Sequence, residues 1–428
     1  MKAINRDMSI RTVPRRYRCL HSGVLWFSLT SLLFLVAAMT AAAGEDHARE
    51  YPGLGKPRIL FVVDGDWTSG SWRSLAFTHD SKSLVGTLVR NSGSAALFLL
   101  GQRLGEVRSF DLTTNEKPSA IVMAARDMQY EILQSPSGTC REPLVVARWD
   151  GQPKEIEVVA LRATGGGWKE TLVGRFPVPR ADKMSIHTAS SVCVAVTPVP
   201  EMLVLGTGCM KWEKEARSPT WWGDVRAWDL QAGKPRFADA WEGNQVLAVA
   251  CSSDGKSIAA GGGCASRSFL GADCYRGRLV CWDKDFEKKR FHLLLPKHQV
   301  HCLAFSPDGK TLVTGGLDGE VKLIGVDQGV VARSLNVASC SGKTLGRVET
   351  LAFSPNGRLL AAGVGSWNRG NKWGETLLID IAKGHVHKVP SSQEDHVVTC
   401  VAFSPNGKYL AAGGMEGVLK LWPIDGEQ

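Results

Sequence analysis

The stretch "FSPDGKTLVTGG" occupies Phe305–Gly316, and two close copies follow: "FSPNGRLLAAG" from Phe353 and "FSPNGKYLAAGG" from Phe403. The three copies begin 48 and 50 residues apart. A single active-site motif would not recur in this way. A self-similar period of this length is typical of a repeat architecture, so the repeat determines the fold class.

Each copy has the residues of a tight turn between two apolar, alternating runs. Pro sets the backbone of the turn, Asp or Asn bonds to it, and Gly takes the left-handed conformation. Two such runs around a turn predict a β-hairpin. A third strand opened by Gly comes next, as in "GEVKLIGV" at 319, "GETLLIDI" at 374 and "GVLKLWPI" at 417. A weaker fourth strand follows in every unit except the last.

The same frame extends backwards through degenerate copies. We call the residue that precedes the turn the anchor position of its unit. The anchor positions lie near residues 77, 134, 196, 251, 305, 353 and 403. The sequence therefore predicts seven units, of which the second has the weakest pattern.

The repeat resembles the WD-repeat β-propeller family. The resemblance rests on Phe-Ser-Pro-Asp-Gly-Lys, the Gly-Gly after it, and third strands that end in Trp228-Asp229 and Trp282-Asp283. It implies an all-β fold, a seven-bladed β-propeller of four-stranded antiparallel blades over residues 57–428. The usual Gly-His before the inner strand is missing, with Lys297-His298 and Asp395-His396 as the nearest candidates. We therefore expect the family's His–Asp–Ser–Trp hydrogen-bond set to be incomplete in every blade.

The last unit stops after its third strand, which would leave an open edge. The apolar segment "PRILFVVDGD" at 57–66 stands before the first anchor position with no other place in the repeat. We predict that this N-terminal strand completes the seventh blade and closes the ring.

The formal net charge of +9 is concentrated in the leader. Residues 1–43 contain six basic residues against Asp7, a net of +5, which leaves +4 for the rest. A net charge of +4 on the rest of the chain is ordinary and gives no support to nucleic-acid binding. A basic segment, the uncharged run 24–43 and "AAA" before Gly44 indicate either a cleaved signal peptide or an uncleaved membrane tether at 24–43. Both place the propeller outside the cytoplasm, and residues 44–56 would form a linker.

No catalytic or cofactor motif is found. The nucleophile elbow and the zinc-helix motif are missing from the sequence, and no Cys-x-x-Cys pair exists. A metal-dependent propeller enzyme would need acidic groups at the channel. The residues leading into the inner strands are not acidic, namely Ser71, Gln129, Ser185, Asn244, Gln299, Arg347 and His396. We predict a non-enzymatic protein without a metal or cofactor.

The cysteines fall into two groups. Cys193, Cys302 and Cys400 each lie three residues before an anchor position, which predicts buried, unreactive thiols in equivalent inner strands. Cys264 and Cys274 lie in one insertion, where a disulfide is plausible outside the cytoplasm. Cys209 is a competing partner for this bond, and free thiols are the alternative.

Four units carry long insertions at one position, between the second and third strands. They are residues 89–104, 208–222, 263–276 and 364–373, and blades alternate their loops between two faces, so all four lie on the same face. Loops gathered on one face of a scaffold usually carry function. The predicted binding residues are Trp212, Trp221, Trp222, Arg267, Tyr275, Arg276, Trp367, Arg369 and Trp373. The alternative is that these aromatic side chains pack back onto the ring.

The sequence thus predicts a binding scaffold displayed outside the cytoplasm. Its aromatic, mildly basic face would suit a protein or an anionic or glycan partner of the cell envelope. The alternative is an extracytoplasmic propeller enzyme or carbohydrate-binding module that uses the same face.

Overall fold

In blades 3 to 7 the innermost strand ends at the anchor position of its repeat, and the blade is built outward from it. A computed structural model describes residues 50–62, 67–92, 103–114, 119–126, 128–132, 139–140, 144–150, 154–164, 167–178, 190–197, 202–211, 220–267, 273–337, 346–368, 371–390, 397–415 and 417–424. All of these belong to one compact unit, His47–Gln428.

Strand β1 (Arg58–Phe61) precedes the first blade. The strands of blades 1 to 3 are β2 (Trp67–Thr78), β3 (Ser83–Ser92), β4 (Arg103–Asp111), β5 (Ser119–Arg126), β6 (Met128–Ile132), β7 (Thr139–Cys140), β8 (Leu144–Asp150), β9 (Glu155–Thr164), β10 (Gly167–Pro177), β11 (Ser190–Val196), β12 (Met202–Lys211), β13 (Thr220–Asp229) and β14 (Lys234–Glu242). Blade 1 comprises β2 to β5, with the short β7 parallel to β2; blade 2 comprises β6 and β8 to β10; blade 3 comprises β11 to β14.

The strands of blades 4 to 7 are β15 (Gln245–Cys251), β16 (Ser257–Arg267), β17 (Asp273–Asp283), β18 (Lys289–Pro296), β19 (Val300–Phe305), β20 (Thr311–Gly316), β21 (Glu320–Gly325), β22 (Val330–Asn336), β23 (Arg347–Phe353), β24 (Leu359–Asn368), β25 (Asn371–Asp380), β26 (His385–Lys388), β27 (Val398–Phe403), β28 (Tyr409–Gly414) and β29 (Leu419–Pro423). Four strands in sequence form each of blades 4, 5 and 6. Together the seven antiparallel sheets confirm the predicted all-β, seven-bladed β-propeller.

The ring is closed by β1, as predicted. The seventh sheet has the order β1-β29-β28-β27, with Ile59 opposite Lys420 and Arg58 opposite Leu421. The segment before β1 is also attached, because the Tyr51 amide donates to the Lys388 carbonyl of β26 and the Gly55 amide donates to the Pro423 carbonyl. Residues 50–61 therefore contact both blade 6 and blade 7.

The turn residues of the repeat form a small hydrogen-bond network. In blade 5, the Ser306 hydroxyl donates to Asp308 and accepts from the Thr311 amide, while Asp308 accepts from the Lys310 amide. Gly309 completes the turn at φ 70°, a conformation that costs L side chains energy. The same network recurs in blades 4, 6 and 7, which explains why the Ser-x-Asp/Asn-Gly pattern is repeated.

A glycine in the second strand lets the next blade approach closely. A Cβ added at Gly261 of blade 4 would lie 2.5 Å from a methyl carbon of Val300 of blade 5, and one at Gly315 would meet Val348 of blade 6 at the same distance. Gly413 of blade 7 meets Trp72 of blade 1 instead, at 2.8 Å. The core is thus a series of apolar layers between neighbouring blades, and Trp72 fills the layer at the closing seam, the contact between blades 7 and 1.

Candidate binding face and channel

Four hairpins project from one face of the ring. In blade 5, β20 ends at Gly316 and β21 begins at Glu320. In blades 1, 3, 4 and 6, the ladder between the second and third strands continues much further, to the pairs Asn91–Arg103, Lys211–Thr220, Arg267–Asp273 and Asn368–Asn371. The described parts of the insertions that the sequence suggested as loops are therefore strand, because pairing satisfies backbone groups along both arms. We call these four extensions the hairpin face.

The predicted binding residues that the structure describes all lie on these ladders. Trp221 pairs with Met210 and Trp222 with Cys209 in blade 3. In blade 4, Arg267, Tyr275 and Arg276 pair with Asp273, Ala265 and Cys264; in blade 6, Trp367 pairs with Lys372 and Trp373 with Ser366. Trp212 and Arg369 lie outside the described residues.

The side chains of the hairpin face differ in exposure. Arg276 is exposed, and Trp221 and Trp222 are half-buried. Trp222 packs partly against the apolar layer between blades 2 and 3. Trp373 is only 5% exposed and belongs to the layer between blades 5 and 6, together with Val337 and Val348. The alternative, in which an aromatic side chain of the insertions packs back onto the ring, therefore holds for Trp373. This side chain anchors the base of its hairpin.

The first hairpin is held at its base by buried charges. Glu106 receives the Arg108 guanidinium at 2.6 Å and lies 3.3 Å from the Nε of Arg90. The three residues are 2–8% exposed. The Arg108 guanidinium also lies 4.6 Å from the centroid of the Phe61 ring on β1, which places this triad beside the closing seam.

Blade 5 contains three of the four members of the family's hydrogen-bond set. His298 Nδ1 lies 2.8 Å from an Asp318 carboxylate oxygen, and its Nε2 lies 2.9 Å from the Thr314 hydroxyl. Ile324, which pairs with Leu312 as Trp282 pairs with Ile258 in blade 4, occupies the tryptophan position. Among the described residues, His298, Asp318 and Glu320 are the one group with metal-ligand spacing. These hydrogen bonds account for that proximity.

Several innermost strands contain a β-bulge that turns one residue out of the ladder. The register shifts between Trp72 and Ser74, between Val300 and Cys302, and between Val348 and Thr350. The residues passed over are Arg73, His301 and Glu349. The hydrogen bond from His301 is the main interaction that lowers the pKa of Glu349, and the charge of Arg73 on blade 1 lowers it further. Because blades 1 and 6 are separated by blade 7, this places both side chains at the central channel.

Five ionisable residues of the inner strands interact in pairs around this channel, and we call them the channel cluster: Arg73, Glu131, His301, Arg347 and Glu349. His301 Nδ1 lies 3.7 Å from Glu349, and Arg347 forms an ion pair with the same carboxylate. Sequence reasoning missed both acids, because it selected Ser71, Gln129, Gln299 and Arg347, which lie two positions before the cluster residues of their strands. In the sequence, Arg73, His301 and Glu349 each lie four residues before an anchor position, and this shared spacing could have identified them.

The pKa values of the two channel acids, Glu131 and Glu349, are shifted in opposite directions. Burial in the channel wall raises the pKa of Glu131 to about 8, although the charge of Arg73 opposes this. Burial also acts to raise the pKa of Glu349, but the hydrogen bond from His301 and the charges of His301, Arg347 and Arg73 lower it below its usual value. Glu131 is therefore mostly protonated at neutral pH while Glu349 stays ionised.

Cys302 and Cys400 are buried, as predicted, whereas Cys193 is half-buried. Burial raises the pKa of Cys400 to about 12 and those of Cys193 and Cys302 well above the usual value. Their thiols are therefore poor nucleophiles. In the β16–β17 hairpin, Cys264 is a half-buried free thiol opposite Arg276, and Cys274 lies opposite Ser266. This diagonal offset is wider than most disulfides span. The side chain of Cys274 lies outside the described residues, so the disulfide stays a prediction.

The described residues contain no helix with the length and hydropathy needed to cross a membrane. The predicted leader and tether at 1–43 lie outside those residues.

The seven sheets, the repeated turn network and the His298 set together define a β-propeller of the repeat type. The model of the WD domain, G-beta repeat, matches residues 289–324, 335–370 and 384–423. The first match begins in the outer strand of blade 4 and ends in the third strand of blade 5, so each repeat bridges two blades. The chain thus contains three repeats that match this family model, within a seven-bladed β-propeller.

Two known proteins illustrate the similarity. WD repeat-containing protein 70 of Xenopus tropicalis is 30% identical over 194 residues, which are 42% of this chain and 28% of that protein. Telomerase protein component 1 of Mus musculus is 28% identical over 141 residues, 33% of this chain and 5% of that protein. The similarity thus spans under a third of each relative.

Proposed function

We propose that the protein is a non-catalytic scaffold, displayed outside the cytoplasm, that binds a protein partner through the hairpin face. WD propellers typically serve as protein-interaction scaffolds, which supports the general function. The observation that carries the choice of face is the extension of the same hairpin in four blades. An interaction through any other surface would give no reason for these four extensions to coincide.

The chemistry of the hairpin face supports a protein partner. Half-buried Trp221 and Trp222 offer large, rigid contact area at a small entropic cost, and such residues are enriched at the centres of protein interfaces. Arg276 adds an exposed cation beside them along the ring, in the next blade. A partner with an apolar patch bordered by acidic side chains fits this combination.

The test is capture of partners from the cell envelope by the purified propeller. Trp221→Ala combined with Arg276→Glu should strongly reduce the amount of captured protein, while the melting temperature stays near that of the parent. Lys256→Glu is the matched control, because Lys256 is an exposed cation in the turn at the opposite end of blade 4. Equal capture by the double variant and the control would exclude the hairpin face. Capture of glycan without protein would favour the carbohydrate-binding alternative.

The location is tested separately. The basic leader and the apolar run 24–43 support export. A reporter enzyme that is active only outside the cytoplasm, fused after Ile424, should then be active. A reporter that is active only inside the cytoplasm should be inactive, and the reverse pattern would exclude export.

A further inference from the structure

The turn between the third and the outer strand of blade 6 is surrounded by basic side chains. It runs from Asp380, the last residue of β25, to His385, the first residue of β26. Gly384 takes φ 72° in this turn and donates its amide to the Asp380 carbonyl at 2.7 Å. The turn lies at the end of β25 opposite the hairpin, so it is separate from the surface that the proposed function uses.

Three cations converge on this turn, and we call them the turn cluster: Arg333, Arg358 and Lys383. Arg333 is on β22 of blade 5, and its guanidinium donates to the Ile381 carbonyl at 3.1 Å. The Nε of Arg358 and the Nζ of Lys383 lie 4.0 and 3.9 Å from the same carboxylate oxygen of Asp380. The fold therefore brings cations from two blades to one short turn.

The turn cluster holds more positive charge than its carboxylate neutralises. The side chain of Asp380 is only 7% exposed, and its other oxygen accepts the Lys383 amide at 3.0 Å. The distances from Asp380 to Arg358 and Lys383 both exceed hydrogen-bond length, and these two side chains are 54% and 63% exposed. Within the described part of the chain, neither cation forms an ion pair with another acid. Their N–H donors are therefore open to solvent.

The neighbouring blade shows that the turn does not require these charges. Gly329 ends the equivalent turn of blade 5, where its amide also bonds to the carbonyl four residues before it. A Cβ added at Gly329 would lie 2.5 Å from Phe291 of the preceding outer strand, whereas one at Gly384 would lie 2.6 Å from the guanidinium of Arg333. The residue before the glycine is also uncharged in blade 5, as Gln328. Blade 6 thus has cations at two positions where blade 5 forms the same turn without them.

We propose that the turn cluster binds a doubly charged oxyanion of the phosphate class. Three cations and one carboxylate leave a net charge of +2 at the turn, which one doubly charged phosphate group neutralises. Arg333 and Arg358 offer planar guanidinium groups that bind phosphate oxygens through paired N–H donors, and Lys383 adds a point charge. A soluble phosphate ester and a lipid head group both carry this chemistry, so the experiment has one arm for each.

The first arm is isothermal titration calorimetry of the purified full-length protein with inorganic phosphate, at about pH 8, where the probe is doubly charged, and at constant ionic strength with chloride. We expect saturable binding of one phosphate in the millimolar range. Lys383→Gln gives blade 6 the residue that blade 5 has at this position, and together with Arg333→Gln it should weaken binding by about tenfold or more. Lys310→Gln should leave binding unchanged, because Lys310 is an exposed cation at the position of Arg358 one blade earlier.

The second arm is co-sedimentation with phosphatidylcholine vesicles that contain or lack phosphatidic acid, whose head group is a phosphate monoester. Residues 1–43 are the same in the parent and the variants, so a difference between them reports the turn cluster. Sedimentation that depends on phosphatidic acid and is lost in the double variant supports the site and assigns it to lipid head groups. Binding in calorimetry without this effect supports the site and assigns it to soluble phosphates.

The proposal is overturned if neither probe binds, if the double variant binds as the parent does, or if Lys310→Gln weakens binding as much as the double variant. The last result would indicate a general attraction of anions to the basic turns. The melting temperature of each variant shows whether it is folded. Lys383→Gln alone changes an exposed side chain and should weaken binding several-fold, so the proposal stays testable even if the double variant does not fold.

Discussion

Replacing Trp72 by Ala should open the ring at the closing seam. Trp72 is fully buried, its indole N–H donates to the Gly417 carbonyl at 2.9 Å, and its ring packs against Phe61 and Phe110. A buried tryptophan removes about 150–250 Å² from water, which at about 25 cal/mol per Å² corresponds to about 4–6 kcal/mol. Partial collapse of the cavity reduces this toward the measured range for Trp→Ala of about 3–5 kcal/mol. The unpaired Gly417 carbonyl adds about 1 kcal/mol.

The measurement is the free energy of unfolding from urea titration followed by circular dichroism, with amide hydrogen exchange of β1 as a local readout. Trp241→Ala is the matched control, because Trp241 is equally buried but its indole N–H bonds to Asp239 on its own strand. We expect both variants to lose several kcal/mol. Only Trp72→Ala should accelerate exchange at Arg58–Phe61. A loss below about 2 kcal/mol, against the range for such truncations, or unchanged protection of β1, would refute the role of Trp72 in closure.

Three further predictions concern stability. Glu106→Gln removes the carboxylate charge that two buried guanidinium groups share and should cost about 3–5 kcal/mol in urea titration, whereas Glu155→Gln on an exposed strand end should cost almost nothing; equal effects would contradict the triad. Because the pKa of Glu131 is about 8 in the folded protein against 4.5 unfolded, the folded state binds more protons between these values. The unfolding free energy should therefore fall as pH rises through this window, by at most about 1.4 kcal/mol per unit, and a Glu131→Gln variant with the same slope would exclude Glu131 as its source. Gly407→Ala places a side chain at φ 71° with no atom within 4 Å of the new Cβ, so backbone strain alone should lower stability by about 1–2 kcal/mol, and an unchanged melting temperature would contradict this.

The parts of the fold that repeat could be predicted from the sequence, and the parts that depend on contacts between distant blades could not. The Ser-x-Asp/Asn-Gly turn is local chemistry, so "FSPDGK" was sufficient to place the innermost strands. The closing strand was predictable because "RILF" had no partner within its own unit and the last unit lacked a strand.

Of the two candidate sites, only the hairpin face was predictable from the sequence, and only in its position along the chain. The sequence located the hairpin face but could not single out Trp373 as buried, since its burial depends on Val337 of blade 5 as well as on Val348 of its own blade. The channel acids were missed because the sequence analysis considered the residues that lead into the inner strands, whereas the bulges turn residues further along, Arg73, His301 and Glu349, out of the ladder. In blade 5 this meant that Gln299 was considered and His301 was not.

Closure of the ring also sets the order in which the chain can complete its fold. Ile59 pairs with Lys420, which follows it by 361 positions. Strand β1 therefore stays unpaired during synthesis until β29 has been made. Loop closure over such a distance is slow, and unpaired apolar strands are prone to aggregate. A ribosome that stops before residue 419 therefore releases a chain with an unclosable ring, even though six blades are complete in sequence. The pairing of Leu419–Pro423 with β1 is thus the step that completes the ring.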